Sequence, residues 1–167
     1  KKSRNHTELI FEFLNIPIKF KKEKQYDLIE VTGPANFNGF KYIVPGDISS
    51  GAFFIVLTLL SKKSKIILRN INVNSSRIGI IKILNRMNAN INLKNKRFYN
   101  GEKIADIIVE SRKNLVSINC PKNLNSSAID EFLVIFLVAA KAKGISIFRN
   151  LSELNKKESP RLEIALK

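Results

Sequence analysis

Ile67-Leu68-Arg69-Asn70-Ile71 recurs 80 positions along the chain as Ile147-Phe148-Arg149-Asn150-Leu151, and the same shift lays the apolar run Phe53 to Leu60 on Leu133 to Ala140. A helix-then-strand unit is therefore written twice. The period exceeds the roughly 20 to 50 residues of common solenoid repeats, so each unit must hold several strands and helices of its own. The pattern predicts a multi-unit α/β (α+β) fold. In this register Asp130 falls on Ser50 and Arg161 on Ile81. The repeat does not need those charges to fold, and function is the simpler reason for them.

Two charged groupings stand beside the second copy of the unit. Ile129-Asp130-Glu131 precedes the apolar run Phe132 to Ala140, whose length suits a buried helix, and a carboxylate at a helix start is favoured by the free N–H groups there. Lys156-Lys157-Glu158-Ser159-Pro160-Arg161 follows a strand-like stretch, Ile145 to Phe148, and puts an ammonium, a carboxylate and a guanidinium within five residues. That mixture suits proton transfer on an anionic substrate. Taken alone, an Asp before an apolar helix is most often a cap, and mixed Lys and Glu most often form a solvated face.

The 167 residues permit one ordinary domain with a sizeable core, and 44% hydrophobic against 26% charged residues is a globular balance. The chain opens Lys1-Lys2-Ser3-Arg4 without an initiating Met and stops at Leu166-Lys167, where a helical pattern has barely begun. This predicts a fragment of a longer protein. A formal charge of +15 would ordinarily raise nucleic acid or an anionic membrane as partners. Here the lysines are scattered among Asn and Ile, which favours an evenly basic, solvated surface that could steer phosphorylated substrates. The longest apolar runs fall well short of the roughly 20 residues that span a bilayer. Cys120 is the single cysteine, so no internal disulfide can form, and a packing role in a reducing compartment is expected. His6 is the single histidine, which excludes a His-based metal cluster or a Ser-His-Asp triad within this chain. Metal-assisted chemistry is not expected.

Along the chain, Asn5-His6-Thr7-Glu8 has capping-box spacing before Leu9, Ile10, Phe13 and Leu14, so a short helix is expected there, with His6 at its start. Extended segments are expected over Ile16 to Phe20, Tyr26 to Thr32 and Lys41 to Val44, with Gly33-Pro34 as a turn. Pro45-Gly46-Asp47 breaks the pattern and marks a crossing between lobes. Gly46-Asp47-Ile48-Ser49-Ser50-Gly51 has the glycines of a phosphate loop but Ala52 where a Lys is needed, so it reads as helix caps for Ala52 to Leu60 and not as a nucleotide site. A strand over Lys65 to Arg69 and a helix from Arg77 to Met87 follow, the latter with Ile80, Ile81, Leu84 and Met87 on one face. Strands over Ile91 to Leu93 and Ile104 to Glu110 flank Asn100-Gly101, a hairpin signal. The unit restarts at Ser117.

Set in order, these motifs resemble those of the 3-phosphoshikimate 1-carboxyvinyltransferase (EPSP synthase) family of enolpyruvyl transferases. Ser3-Arg4-Asn5-His6-Thr7-Glu8 is similar to the family's Ser-Arg-Asp-His-Thr-Glu, and Val44 to Phe53 to its Val-Pro-Gly-Asp-x-Ser-Ser-Ala-Ala-Phe. Asn74-Ser75-Ser76-Arg77-Ile78-Gly79 stands where the family has Asn-Pro-Thr-Arg-Thr-Gly. Ala128 to Glu131 and Lys157 to Arg161 resemble x-Ile-Asp-Glu and Lys-Glu-Ser-Asp-Arg. The departures are Pro160 where the family has Asp, and Ser126 and Leu133 where it has Pro. Pro160 suits the first position of a helix capped by Ser159, which would present N–H groups to an anion beside Arg161.

The resemblance implies two lobes, each an inside-out α/β barrel of three βαβαββ units. Residues 1–44 would end the first lobe, and 45–167 would form about one and a half units of the second. It implies transfer of the enolpyruvyl group of phosphoenolpyruvate to the 5-hydroxyl of shikimate 3-phosphate, without metal or redox cofactor, by a cytoplasmic protein that is monomeric at full length. By similarity Asp130 is the base for the attacking hydroxyl and Glu158 exchanges the methylene proton. Lys157 contacts the hydroxyl, Arg161 grips phosphoenolpyruvate and Arg4 contacts shikimate 3-phosphate. The fragment alone would be inactive. The alternatives are the related transferase acting on UDP-N-acetylglucosamine, which employs a loop cysteine, and a basic nucleic-acid-binding module.

Overall fold

The two copies of the repeated unit share one unusual backbone feature: Asn70 and Asn150 both take positive φ, 54° and 60°. Asn tolerates this left-handed conformation better than other residues with a side chain. In the first unit Gly46 N donates to the Asn70 carbonyl at 2.9 Å; in the second, the Asn125 side-chain amide donates to the Asn150 carbonyl at 3.1 Å. A side chain thus replaces a backbone donor at an equivalent place in the repeat.

The computed structural model describes residues 4–24 and 26–165. Helix α1 (His6–Phe13) leads into strands β1 (Ile18–Lys22) and β2 (Asp27–Val31), which pair antiparallel with Phe20 opposite Ile29. None of the three elements contributes a buried residue. Helix α2 (Ile48–Leu60) follows, then β3 (Lys65–Asn72), α3 (Gly79–Arg86), β4 (Asn90–Tyr99) and β5 (Glu102–Glu110). A 3-10 turn over Lys122–Ser127 precedes α4 (Phe132–Lys141), and another over Ser152–Lys156 precedes α5 (Arg161–Ala165). Strands β3, β5 and β4 form an antiparallel sheet in that order, with β5 central.

The core lies between this sheet and the helices. Ile55 and Leu59 of α2, Ile80, Ile83 and Leu84 of α3, Ile107 and Val109 of β5, and Phe132 and Ile135 of α4 are almost wholly buried. Their spacing of three and four on the helices is the amphipathic period that the sequence displays. Both outer strands bulge opposite the same point of β5: the register slips between Leu68 and Ile71 on one side and between Lys94 and Arg97 on the other. Asp106 sits between the two bulges. It accepts from Asn70 N at 2.9 Å and from Asn95 Nδ2 at 2.8 Å, and Asn95 is also left-handed at φ 51°. The extra residues that a bulge leaves outside the ladder find their partner in this carboxylate.

Several local expectations are corrected. The helix after Pro45 begins at Ile48 and not Ala52, because the Asp47 side chain accepts from Ser50 N at 2.9 Å and caps it there, leaving Ser49 and Ser50 inside the helix. Asn5 does occupy the N-cap of α1 but makes no capping bond; its side-chain oxygen accepts from Asn74 Nδ2 instead. Lys41 to Val44 is not a strand, since Ile43 N is taken by the Tyr99 hydroxyl at 2.9 Å and not by a ladder. Ile145 to Phe148 makes only an isolated parallel bridge, Asn119 to Ile147. Helix α5 starts at Arg161, one residue after Pro160; Arg161 N donates to the Ser159 backbone carbonyl at 2.8 Å, and it is the Asn155 side chain that caps the next N–H groups, with Oδ1 accepting from Leu162 at 3.0 Å and Glu163 at 3.4 Å. Ser3 of the first motif and the helical reading of Leu166 and Lys167 lie outside the described residues. No helix among the described residues is long and apolar enough to cross a membrane.

Candidate functional site

Asp130 stands in the turn before α4, and three cations from two distant parts of the chain converge on it. Arg4, just before α1, donates Nη2 to Asp130 Oδ2 across 126 positions of sequence. On the other oxygen, Lys157 Nζ lies 3.3 Å and Arg161 Nη1 3.5 Å from Oδ1. The Arg161 fork also reaches Glu158, with Nη2 2.7 Å from Oε2. Arg4, Asp130, Lys157, Glu158 and Arg161 therefore form one cluster, with Arg161 shared between the two carboxylates.

Local chemistry explains the arrangement. Leu154 anchors the 3-10 turn over Ser152–Lys156 in the core, and Lys157, the next residue, reaches Asp130 before α4. Asn155 fixes the first turn of α5, which aims Arg161 back at Asp130 and Glu158. Partial burial alone would push the Asp130 carboxyl up, but Lys157 and Arg4 outweigh it and hold the group below the usual aspartate value. Glu158 is largely exposed at 81%, and a backbone hydrogen bond followed by the Arg161 guanidinium lowers it as well. Both carboxylates are held in the ionised form, able to accept protons and to order cations around an anionic ligand.

A second chain of groups runs behind Asp130. Glu131 is buried, at 3% exposure, and accepts from Ser49 Oγ at 2.5 Å. Ser49 Oγ in turn accepts from Arg77 Nη2 at 2.7 Å, and the same nitrogen lies 2.6 Å from Asp47 Oδ1. This chain ties the starts of α2 and α4 to the residues before α3. Burial pushes the Glu131 carboxyl above the ordinary range, the opposite of its neighbour. Asp47, Ser49, Arg77 and Glu131 were all visible in quoted motifs, yet as caps or flanking residues. Ser49 and Glu131 are 82 positions apart, and neither residue's local pattern points to the other.

His6 is not in the Asp130 cluster; its Nδ1 is paired with Glu102 Oε1. Cys120 is buried at 5% exposure and its thiol is pushed up chiefly by that burial. A protonated, enclosed thiol is a poor nucleophile. Among the described residues no group of three or more His, Cys, Asp or Glu side chains could hold a metal ion.

A family model described as EPSP synthase (3-phosphoshikimate 1-carboxyvinyltransferase) matches residues 1–167. The chain is similar to the 3-phosphoshikimate 1-carboxyvinyltransferase of Ruthia magnifica subsp. Calyptogena magnifica, 41% identical over 162 residues that cover 97% of this chain and 36% of the relative. It is also similar to that of Caldicellulosiruptor saccharolyticus, 41% identical over 164 residues, 98% of this chain and 37% of the relative. A solved structure of EPSP synthase from Acinetobacter baumannii superposes with a TM-score of 0.90 at 32% identity, covering 99% of this chain and 36% of that one. The fold is thus that of part of this structure, and the chain spans little more than a third of the length of the curated relatives it matches.

Proposed function

The chain belongs to the EPSP synthase family, and from that premise we propose that the complete protein joins shikimate 3-phosphate to phosphoenolpyruvate, giving 5-enolpyruvylshikimate 3-phosphate and phosphate. The observation that carries this reading is the convergence of Arg4, Lys157, Arg161 and Glu158 around Asp130. Addition and elimination of this kind require a base for the attacking hydroxyl, a proton donor and acceptor for the methylene carbon, and fixed cations for two phosphates and a carboxylate. In the proposed sequence Asp130 takes the 5-hydroxyl proton as the oxygen attacks the enol carbon. Glu158, ionised in the free chain, takes up a proton as the anionic substrates bind, passes it to the methylene and removes it again in the elimination, while the hydroxyl proton held by Asp130 leaves with the phosphate. Lys157 steadies the attacking oxygen, Arg161 holds phosphoenolpyruvate and Arg4 holds shikimate 3-phosphate. Each charge-assisted contact supplies about 1.5–3 kcal/mol, and each general acid–base step about 10²- to 10⁴-fold.

The ionised state of Asp130 supports its assignment as the base, and the shared Arg161 supports a ligand placed between the two carboxylates. Residues 1–44 are assigned to the end of a first lobe and 45–167 to part of a second, with about one and a half βαβαββ units. The confinement of the buried core to residues 48–154 supports that boundary. Small-molecule substrates, a cytoplasmic location and a monomeric full-length protein complete the proposal, with no cofactor in any step.

The test is phosphate release from phosphoenolpyruvate by the full-length protein. Release is expected only when shikimate 3-phosphate is present, and Asp130→Ala is expected to lower it by at least about 10²-fold while the protein stays folded, with a cooperative urea transition. Release driven by UDP-N-acetylglucosamine would replace the proposed acceptor; full activity of the Asp130 variant would remove the site. Buried Cys120 already speaks against a reading built on an accessible cysteine.

A further inference from the structure

We propose that Glu102 is a positioning residue that holds Arg4 within reach of Asp130, by latching the start of α1 to the tip of the β4–β5 hairpin. The proposal rests on the transferase reading for its effect on turnover, although the latch itself is a property of this chain. Arg4 is followed immediately by a helix with no buried residue, so apolar burial does not anchor that segment. Its polar groups do. Glu102, only 6% exposed, takes His6 on Oε1 and Asn74 Nδ2 on Oε2 at 3.3 Å, while the same Asn74 amide donates to Asn5 Oδ1 at 2.9 Å.

The orientation of Asn74 is fixed independently. Its Oδ1 accepts from the Ser76 backbone N–H at 2.9 Å and hydroxyl at 2.8 Å, and a backbone N–H can only donate, so the amide nitrogen must face Asn5 and Glu102. The two residues directly after Arg4 are thereby both tied to one buried carboxylate and its amide neighbour. A buried charged group with a missing partner is costly, so Glu102 resists release of the helix.

A second observation places the helix against the same hairpin from the backbone side. Gly101 has φ of +83°, and a Cβ there would fall 2.6 Å from the Leu9 carbonyl oxygen and 3.3 Å from Phe13 Cβ. No other residue permits both this conformation and so close an approach of α1. The Phe13, Phe40, Tyr42 and Tyr99 rings, in successive contact at 5.6, 6.0 and 5.6 Å, seat the far end of the helix. Glu102 fixes the near end, from which Arg4 extends.

The experiment uses the full-length protein carrying Glu102→Gln, with Gly101→Ala as a second variant that presses on α1 from the other side. Hydrogen exchange without substrates reads the latch, and steady-state kinetics read its consequence. The amides of α1 should lose protection at least tenfold in both variants while those of β5 beyond Ile104 keep theirs. KM for shikimate 3-phosphate should rise about tenfold to a hundredfold, as expected for loss of one charge-assisted contact, with kcat within threefold of wild type. In an Arg4→Ala background, Glu102→Gln should add no further rise, because it acts through that residue. Unchanged exchange in α1 overturns the latch; lost protection with an unmoved KM, or an equal added rise without Arg4, overturns the positioning role. Should the wild-type protein not turn over these substrates, the proposed function falls, and α1 exchange alone decides for or against the latch.

Discussion

The single step from Asp130 to Glu131 carries the chain from a cationic cluster into the protein interior, and the two carboxyls respond in opposite directions. Cations keep Asp130 ionised, whereas burial raises Glu131 above its ordinary value of 4.5. A raised folded-state value means that Glu131 supports the fold fully below its unfolded value, and that this support is lost as pH rises through the folded one. For Asp130 the sign reverses: its contribution is present above the ordinary aspartate value and is lost as pH falls through the lowered one. Glu131→Gln keeps a neutral group on Ser49, so its urea midpoint should exceed that of wild type at about pH 8 and approach it at about pH 4. A difference of equal size at both pH values would assign the effect to packing instead of ionisation. Divergent neighbours of this kind let one short turn hold a ready base and, one residue later, a group that stays wedged between helices.

At the scale of elements, Gly79 shows how a helix contact bears on the site. A Cβ there would lie 2.5 Å from the Ser127 carbonyl carbon and 2.6 Å from its oxygen, both backbone atoms of the 3-10 turn that leads to Asp130. Gly79→Ala must therefore move either α3 or that turn. The expected cost is about 1–3 kcal/mol, as for overpacking elsewhere, read as a lower urea midpoint, together with a fall in kcat/KM of the full-length protein. Unchanged stability would mean that the turn yields freely and does not fix Asp130. The helices were legible because Ile80, Ile81, Leu84 and Met87 repeat at helical spacing and are buried together in the core. The hairpin was legible from Asn100-Gly101, though β4 extends over Lys94 to Arg97, whose charged and exposed residues read as a loop until β5 supplies the ladder. Lys41 to Val44 and Ile145 to Phe148 misled because their apolar residues satisfy the strand pattern while tyrosine and single bridges take their hydrogen bonds. Arg4, Asp130 and the Lys157 cassette were named from motif resemblance. The Ser49, Arg77 and Glu131 chain was not, since only tertiary packing joins positions 28 and 82 apart.

For the whole molecule, the face of α2 and α4 away from the sheet decides how this chain behaves by itself. Phe53 and Leu57, one turn apart on α2, are 65% and 64% exposed; Leu137 on α4, which packs beside it, is 56% exposed, and Ile145 beyond it 86%. Isolated apolar side chains on a surface are ordinary, but neighbours on two packed helices make a surface that water disfavours. The opposing influence is the formal charge of +15, which repels like copies over a distance set by salt, about 10 Å at 0.1 M. The 167-residue chain produced alone should therefore sediment as a monomer at low ionic strength and associate as salt is raised. The same preparation should release no phosphate from the two proposed substrates, because relatives of this family are nearly three times as long and Arg161 with Arg4 cannot by themselves bind two phosphates and a carboxylate. A monomer at every salt concentration would show that the exposed helical face needs no cover, and turnover by the isolated chain would show that the cluster around Asp130 is sufficient without the further length those relatives have.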